Sequence, residues 1–201
     1  MTLTVEKDAR QVERRLHKGL LECPPCGGRL APWGYGRMRQ VFEFGDRVRW
    51  LRPRRAICVE CGRTQVLLPV SVLVRRRDSV AVIGSALLSA AVGWTQAQIG
   101  RGLGRTVSLV RGWIRRLAGR AERVRQIFTV LAVELDPDPG GLEAAGSPVA
   151  DAVAAIMAAG RAAGGRFMRM VSPWELACSV TSGTLLAPAI ITATINTNHI
   201  L

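Results

Sequence analysis

Four cysteines carry the plainest chemistry in this chain. Cys23 with Cys26 and Cys58 with Cys61 form two C-x2-C-G knuckles separated by 31 residues. A two-residue spacing lets both sulfurs of a knuckle reach one ion, and four thiolates make the closed tetrahedral donor set of a structural Zn²⁺ site. The glycine after each knuckle can take positive φ and turn backbone N–H groups toward the sulfurs. The competing reading is a redox or disulfide pair, but a thioredoxin-like site needs one C-x-x-C in a βαβ setting, and here there are two without it. One structural Zn²⁺ is therefore the expected cofactor. Cys178 sits on an apolar helical stretch and is expected to be a buried thiol, not a ligand.

A second constellation spans Trp94 to Arg116. Thr95 with Gln98 reads as a capping box opening a short helix whose buried positions are Ile99 and Leu103. Gly100 beside them permits the close approach of another helix, and Gly104 supplies a positive-φ turn. Thr106 then caps a second helix with Val110, Trp113 and Ile114 inward and Val107, Ser108, Arg111 and Arg115 outward. Two short helices across a tight turn, the second rich in arginine, match the helix-turn-helix that delivers its second helix into the major groove. The competing reading is an ordinary helical hairpin with a solvated basic face. Gly112 inside the second helix costs about 1 kcal/mol against alanine, and either close approach to DNA or chance accounts for it.

Charge points the same way. The 28 basic against 15 acidic residues give +13, and residues 1–130 hold 25 and 9 of them, so a basic front of +16 precedes a back of −3. Such a front predicts a polyanionic partner, nucleic acid before an anionic membrane. Eight arginines and five of the ten aromatics lie between the knuckles. Those arginines are expected at phosphates, while the aromatics either stack on bases or pack around the metal. The phosphate-facing set elsewhere is Arg75, Arg76, Arg77, Arg101 and Arg105. Gln96, Thr106, Val107, Ser108, Arg111 and Arg115 complete the candidate DNA surface, with Ser108 and Arg111 placed to reach base edges.

A transposase or integrase needs two or three carboxylates converging on Mg²⁺ from separate elements of a ribonuclease-H-like fold. After residue 130 only Glu134, Asp136, Asp138, Glu143, Asp151 and Glu175 remain, four of them in or beside a Pro/Gly-rich stretch. His17 and His199 stand at opposite ends with no partner pattern. The expectation is a protein without catalytic chemistry.

The elements that must position these groups follow from periodicity and punctuation. Residues 1–19 read as a short helix or a loose basic arm. Residues 20–69 read as a small β zinc ribbon, with strands in Arg37–Phe44 and Val48–Ile57 joined by a hairpin turn at Gly45-Asp46. A helix-turn-helix domain of three helices is expected over 75–130, from a helix at 79–92, another at Gln96–Leu103 and a third over Val107–Phe128. Residues 131–146 read as a linker broken by DPDPGG. A helical, apolar tail fills 147–201: one helix opens at Ser147-Pro148 and stops at Gly164-Gly165, another opens at Ser172-Pro173, and Thr184–Leu201 is ambiguous. The fold class is thus mainly α with a small β zinc ribbon. The charged N-terminus lacks the apolar core of a signal peptide and the longest apolar runs are too short to span a bilayer, so the expected location is the cytoplasm, at the nucleoid.

Taken together, CPPCGGRL (23–30), WGYGR (33–37), RPRRAICVECGRTQVLLP (52–69), RRRD (75–78) and TQAQIGRGLGRTVSLVRGWIRR (95–116) resemble a bacterial family of uncharacterised proteins. That family pairs an N-terminal zinc ribbon with a helix-turn-helix and occurs beside insertion-sequence transposases; the likeness covers roughly residues 20–130. The resemblance implies DNA binding connected with mobile elements, with Thr106–Arg116 as recognition helix. Its expected partners are double-stranded DNA and a co-encoded transposase, with a homodimer allowed. The alternatives are a zinc-ribbon interaction module contacting a transposase or RNA polymerase, or a truncated transposase remnant.

Overall fold

The computed structural model describes residues 1–45 and 47–188. Among them the chain is mainly helical, with seven α-helices and two small sheets. The ambiguous stretch Thr184–Leu201 lies mostly outside the described residues, as does Asp46 of the expected hairpin turn.

The N-terminal segment holds the short helix, one of its two readings, and a strand not expected from the sequence precedes it. Its first residues form strand β1 (Thr2–Val5), followed by helix α1 (Ala9–His17), which Asp8 caps by accepting from the Arg10 N–H. Strands β2 (Leu30–Tyr35), β3 (Arg39–Phe42), β4 (Val48–Leu51), β5 (Arg54–Cys58) and β6 (Thr64–Pro69) follow. One sheet has the order β1-β6-β5-β2, with β1 parallel to β6 and the other pairs antiparallel; β3 and β4 form a separate hairpin. The physical reason for recruiting the N-terminus is a shortage of apolar cover. Val5, Val12 and Leu16 close a core with Leu21, Leu30, Ala56 and Leu67 that the sheet lacks by itself. Arg54 donates two hydrogen bonds to the Glu13 carboxylate and clips α1 onto β5. That contact holds the Glu13 carboxyl below its usual range.

The helices are α2 (Val80–Ala91), α3 (Gln96–Leu103), α4 (Val107–Ala118), α5 (Ala121–Leu135), α6 (Pro148–Phe167) and α7 (Pro173–Val180). The single helix expected over Val107–Phe128 is two, because the chain bends at Gly119-Arg120. The bend lets Trp113 and Leu117 on α4 and Val124 and Phe128 on α5 enter one core. Gly164-Gly165 does not stop α6, which runs on to Phe167 and ends at Met168 with φ 49°. The returning backbone crosses Gly164, where a Cβ would lie 3.3 Å from the Arg169 carbonyl oxygen. The glycine there serves a close approach, not a terminus.

Helix α6 is buried on almost every side through Ala152, Val153, Ala155, Ile156, Ala158, Ala159 and Ala163. A helix apolar all round belongs in a core, and α6 packs along α5 and against α2, α4 and α7. The apolar C-terminal segment thus shares one core with α2–α5. Helix α7 comes so close to α2 that a Cβ on Gly84 would meet the Trp174 ring at 2.2 Å. No helix of the described residues is long and apolar enough to cross a membrane.

Candidate metal centre and nucleic-acid interface

The two knuckles fold alike. In the first, Gly27 N–H donates to the Cys23 carbonyl at 2.8 Å; in the second, Gly62 N–H donates to the Cys58 carbonyl at 3.0 Å. Gly27 and Gly62 have φ of 72° and 69°, the left-handed region where glycine is unstrained. Each knuckle therefore turns back on itself and points two sulfurs at the other. All four Sγ atoms lie within 4.8 Å of one another, with Cys23 to Cys61 at 3.8 Å and Cys26 to Cys58 at 3.6 Å. Four sulfurs about 2.3 Å from a tetrahedral ion stand about 3.8 Å apart. The donor set fits one metal ion, and fits zinc.

The surroundings suit thiolates. The buried Gln65 side chain donates to Cys23 Sγ at 3.8 Å and the Cys61 N–H donates to Cys58 Sγ at 3.5 Å. At Gly28 an added Cβ would lie 2.1 Å from Glu60 Oε2 and 3.0 Å from Cys58 Sγ, so the glycine makes room for the cluster. The Arg63 N–H foremost draws the Cys61 thiol down to about 7. Burial foremost raises Cys23. At Cys58 the Cys61 N–H favours the thiolate, but burial and the Glu60 carboxylate outweigh it and push the thiol to about 12. Cys178 is remote from this cluster, fully buried, with its thiol donating to the Val72 carbonyl.

The α3–α4 pair is built from local signals. Thr95 and Gln98 form a reciprocal capping box, Gly104 ends α3 at φ 63°, and Thr106 Oγ1 accepts from the Leu109 N–H. Gly100 admits the turn's own backbone, not another helix: a Cβ there would be 2.7 Å from the Arg105 carbonyl oxygen. Val110, Trp113 and Leu117 are buried, while Val107, Ser108, Arg111 and Arg115 are exposed. Arg111 donates to Gln96 Oε1 at 3.2 Å, which joins the starts of the two helices.

Beside this pair lies a cleft of about 730 Å³, lined from the hairpin by Phe42, from the segment before α2 by Arg75 to Asp78, and from α4 by Thr106, Ser108, Gly112 and Arg116. Of the expected DNA surface it unites Arg75, Arg76, Arg77, Arg105, Thr106 and Ser108. Gln96, Arg101, Val107, Arg111 and Arg115 are outside its lining. Arg116 lines it too, a basic group that sequence reasoning left off the surface. Its spacing from Ser108 and Gly112, eight and four residues along α4, is the signal that could have found it. Arg116 lies back over Gly112, donating to its carbonyl at 2.7 Å where a Cβ would stand 2.8 Å from the guanidinium. Arg76 donates to the Leu186 carbonyl at 3.0 Å. Its burial, and then the charges of Arg116 and Arg120, lower its affinity for a proton.

Arg105 is the clear correction. Expected at a phosphate, it is 9% exposed and donates from Nε to Asp78 at 2.6 Å. It also donates to the carbonyls of Glu43, Leu103 and Gly104. One guanidinium thus ties the hairpin, the segment before α2 and the α3–α4 turn together, and four of its five N–H donors are used inside the protein. Among the described residues Asp78 is the one carboxylate lining the cleft, and Arg105 occupies it, so the remaining arginines line it without a carboxylate partner there. Comparison of the chain with protein-family models, curated proteins and solved structures found no significant match.

Proposed function

We propose that this chain is a DNA-binding protein without catalytic chemistry, built from a zinc ribbon held by Cys23, Cys26, Cys58 and Cys61 and a helix-turn-helix formed by α3 and α4. The observation that carries the reading is the cleft: Arg75, Arg76, Arg77 and Arg116 line it beside the exposed N-terminal end of α4, and its single carboxylate is already paired. A concave run of guanidinium groups without a carboxylate partner among the described residues suits a phosphate backbone, and the adjoining helix end suits a groove. Fitted to duplex DNA, α4 reads bases through Ser108 and Arg111 while the cleft grips the strand alongside. The role proposed is an accessory factor or regulator of transposition, with a transposase as the protein partner; that link rests on the sequence resemblance.

Affinity for duplex DNA falls steeply with salt, and Arg75→Ala lowers the log–log slope by about one on every sequence. Measured by titration across salt concentrations, a flat response assigns the basic surface to another partner. Arg111→Ala weakens binding to the site selected from a random DNA pool by about 1–3 kcal/mol and leaves random DNA almost unaffected. Equal loss on both places Arg111 at a phosphate and removes the reading role from α4.

A further inference from the structure

The β3–β4 hairpin is joined rigidly to the cationic cleft. Phe42 N–H donates to the Arg77 carbonyl and Ser79 N–H to the Phe42 carbonyl, at 2.8 and 3.0 Å, so β3 runs beside the arginine segment as a strand would. Val41, fully buried with Leu68 and Val72, anchors the inner face. In the hairpin register Gln40 stands opposite Trp50 and Phe42 opposite Val48, so these four share the outer face. That face is aromatic and open: Trp50 is 61% exposed and Val48 41%.

Arginine lies on the same face. Arg77 covers the Phe42 ring at 5.0 Å and donates to Gln40 Oε1 at 3.2 Å. The Tyr35 ring, by contrast, already has the guanidinium groups of Arg52 and Arg54 over it at 5.1 and 4.7 Å. Trp50, on the hairpin face that carries Phe42 of the cleft, has no cation over its ring among the described residues. A large uncovered ring beside phosphate-binding charge is the arrangement that stacks a nucleobase.

We infer that Trp50 is a stacking platform for an unpaired base, and that the ligand of this protein is a duplex carrying unpaired nucleotides at one flank. The inference rests on the duplex-binding reading above and extends it: α4 and the cleft hold paired DNA, and the outer face of the hairpin takes the base that leaves the stack. Bases in an intact duplex have their faces covered by neighbours, so Trp50 gains its contact only where pairing ends.

The test compares a blunt duplex with the same duplex bearing a short single-stranded tail, using the full zinc-loaded chain. Wild type binds the tailed duplex about tenfold more tightly than the blunt one. Trp50→Ala abolishes that preference without changing blunt-duplex affinity, and Trp50→Phe retains most of it. Since Trp50 is exposed, zinc content and helical circular dichroism stay at wild-type values in both variants. Equal wild-type binding of the two duplexes, or a preference that survives Trp50→Ala, overturns the inference and leaves duplex binding standing. A wild-type protein that binds neither duplex overturns the duplex-binding reading and this inference with it.

Discussion

Replacing Cys23 and Cys26 together by serine abolishes stoichiometric zinc and unfolds the sheet that carries the knuckles, while the core of α2 to α7 stays helical. Wild-type protein is expected to carry one zinc ion per chain. The reason is the small size of the core beneath the knuckles: Cys23 and Cys58 are themselves members of it, along with Val5, Val12, Leu16, Leu21, Leu30, Ala56 and Leu67. Structural zinc supplies on the order of 10–16 kcal/mol in small metal-dependent domains, more than such a core holds without it. Loading displaces thiol protons, so the apparent affinity weakens as the pH falls. Metal content by mass spectrometry and helical circular dichroism, before and after chelation, check the prediction. Zinc stoichiometry that survives the double substitution refutes the ligand assignment. Loss of all helical signal would instead make the metal a keystone for the whole chain.

Arg105→Ala destabilises the protein by about 3–5 kcal/mol, because it leaves the Asp78 carboxylate buried and uncompensated. Asp78 is 7% exposed at its side chain and Arg105 9%, so solvent does little to relieve either partner. The hydrogen bonds lost with the guanidinium include the one to the Glu43 carbonyl, 62 residues away in sequence. Replacing both partners, as Arg105→Met with Asp78→Leu, costs less than Arg105→Ala alone, since no unpaired buried charge remains. Denaturant unfolding measures these differences. An Arg105→Ala variant of wild-type stability, with a salt slope reduced by one, would return Arg105 to a phosphate and refute its role as an internal clamp.

Local signals carried much of the candidate site. The knuckle spacing named four sulfurs that the fold brings within 4.8 Å. The bounds of α3, its capping box, the left-handed Gly104 and the Thr106 cap were all legible in the sequence. Each of these depends on groups a few residues apart, whose spacing and hydrogen-bonding chemistry do not wait for the rest of the chain.

Only the tertiary structure decided the rest. Arg105 and Arg75 look equivalent in the sequence, yet one is spent on Asp78, 27 residues away, and the other faces the cleft. Arg76 depends on Leu186, 110 residues distant, so an apolar stretch near the end of the described chain helps hold the arginine run. The first strand was illegible because its Thr-Leu-Thr-Val alternation spans only four residues and its partner β6 lies more than sixty residues away. Gly164-Gly165 looks like a stop signal until the backbone of Arg169 is seen to cross it. Residue type and spacing determined what each group is able to do. Burial, and which distant partner arrives first, determined which arginines remain free to meet an anion.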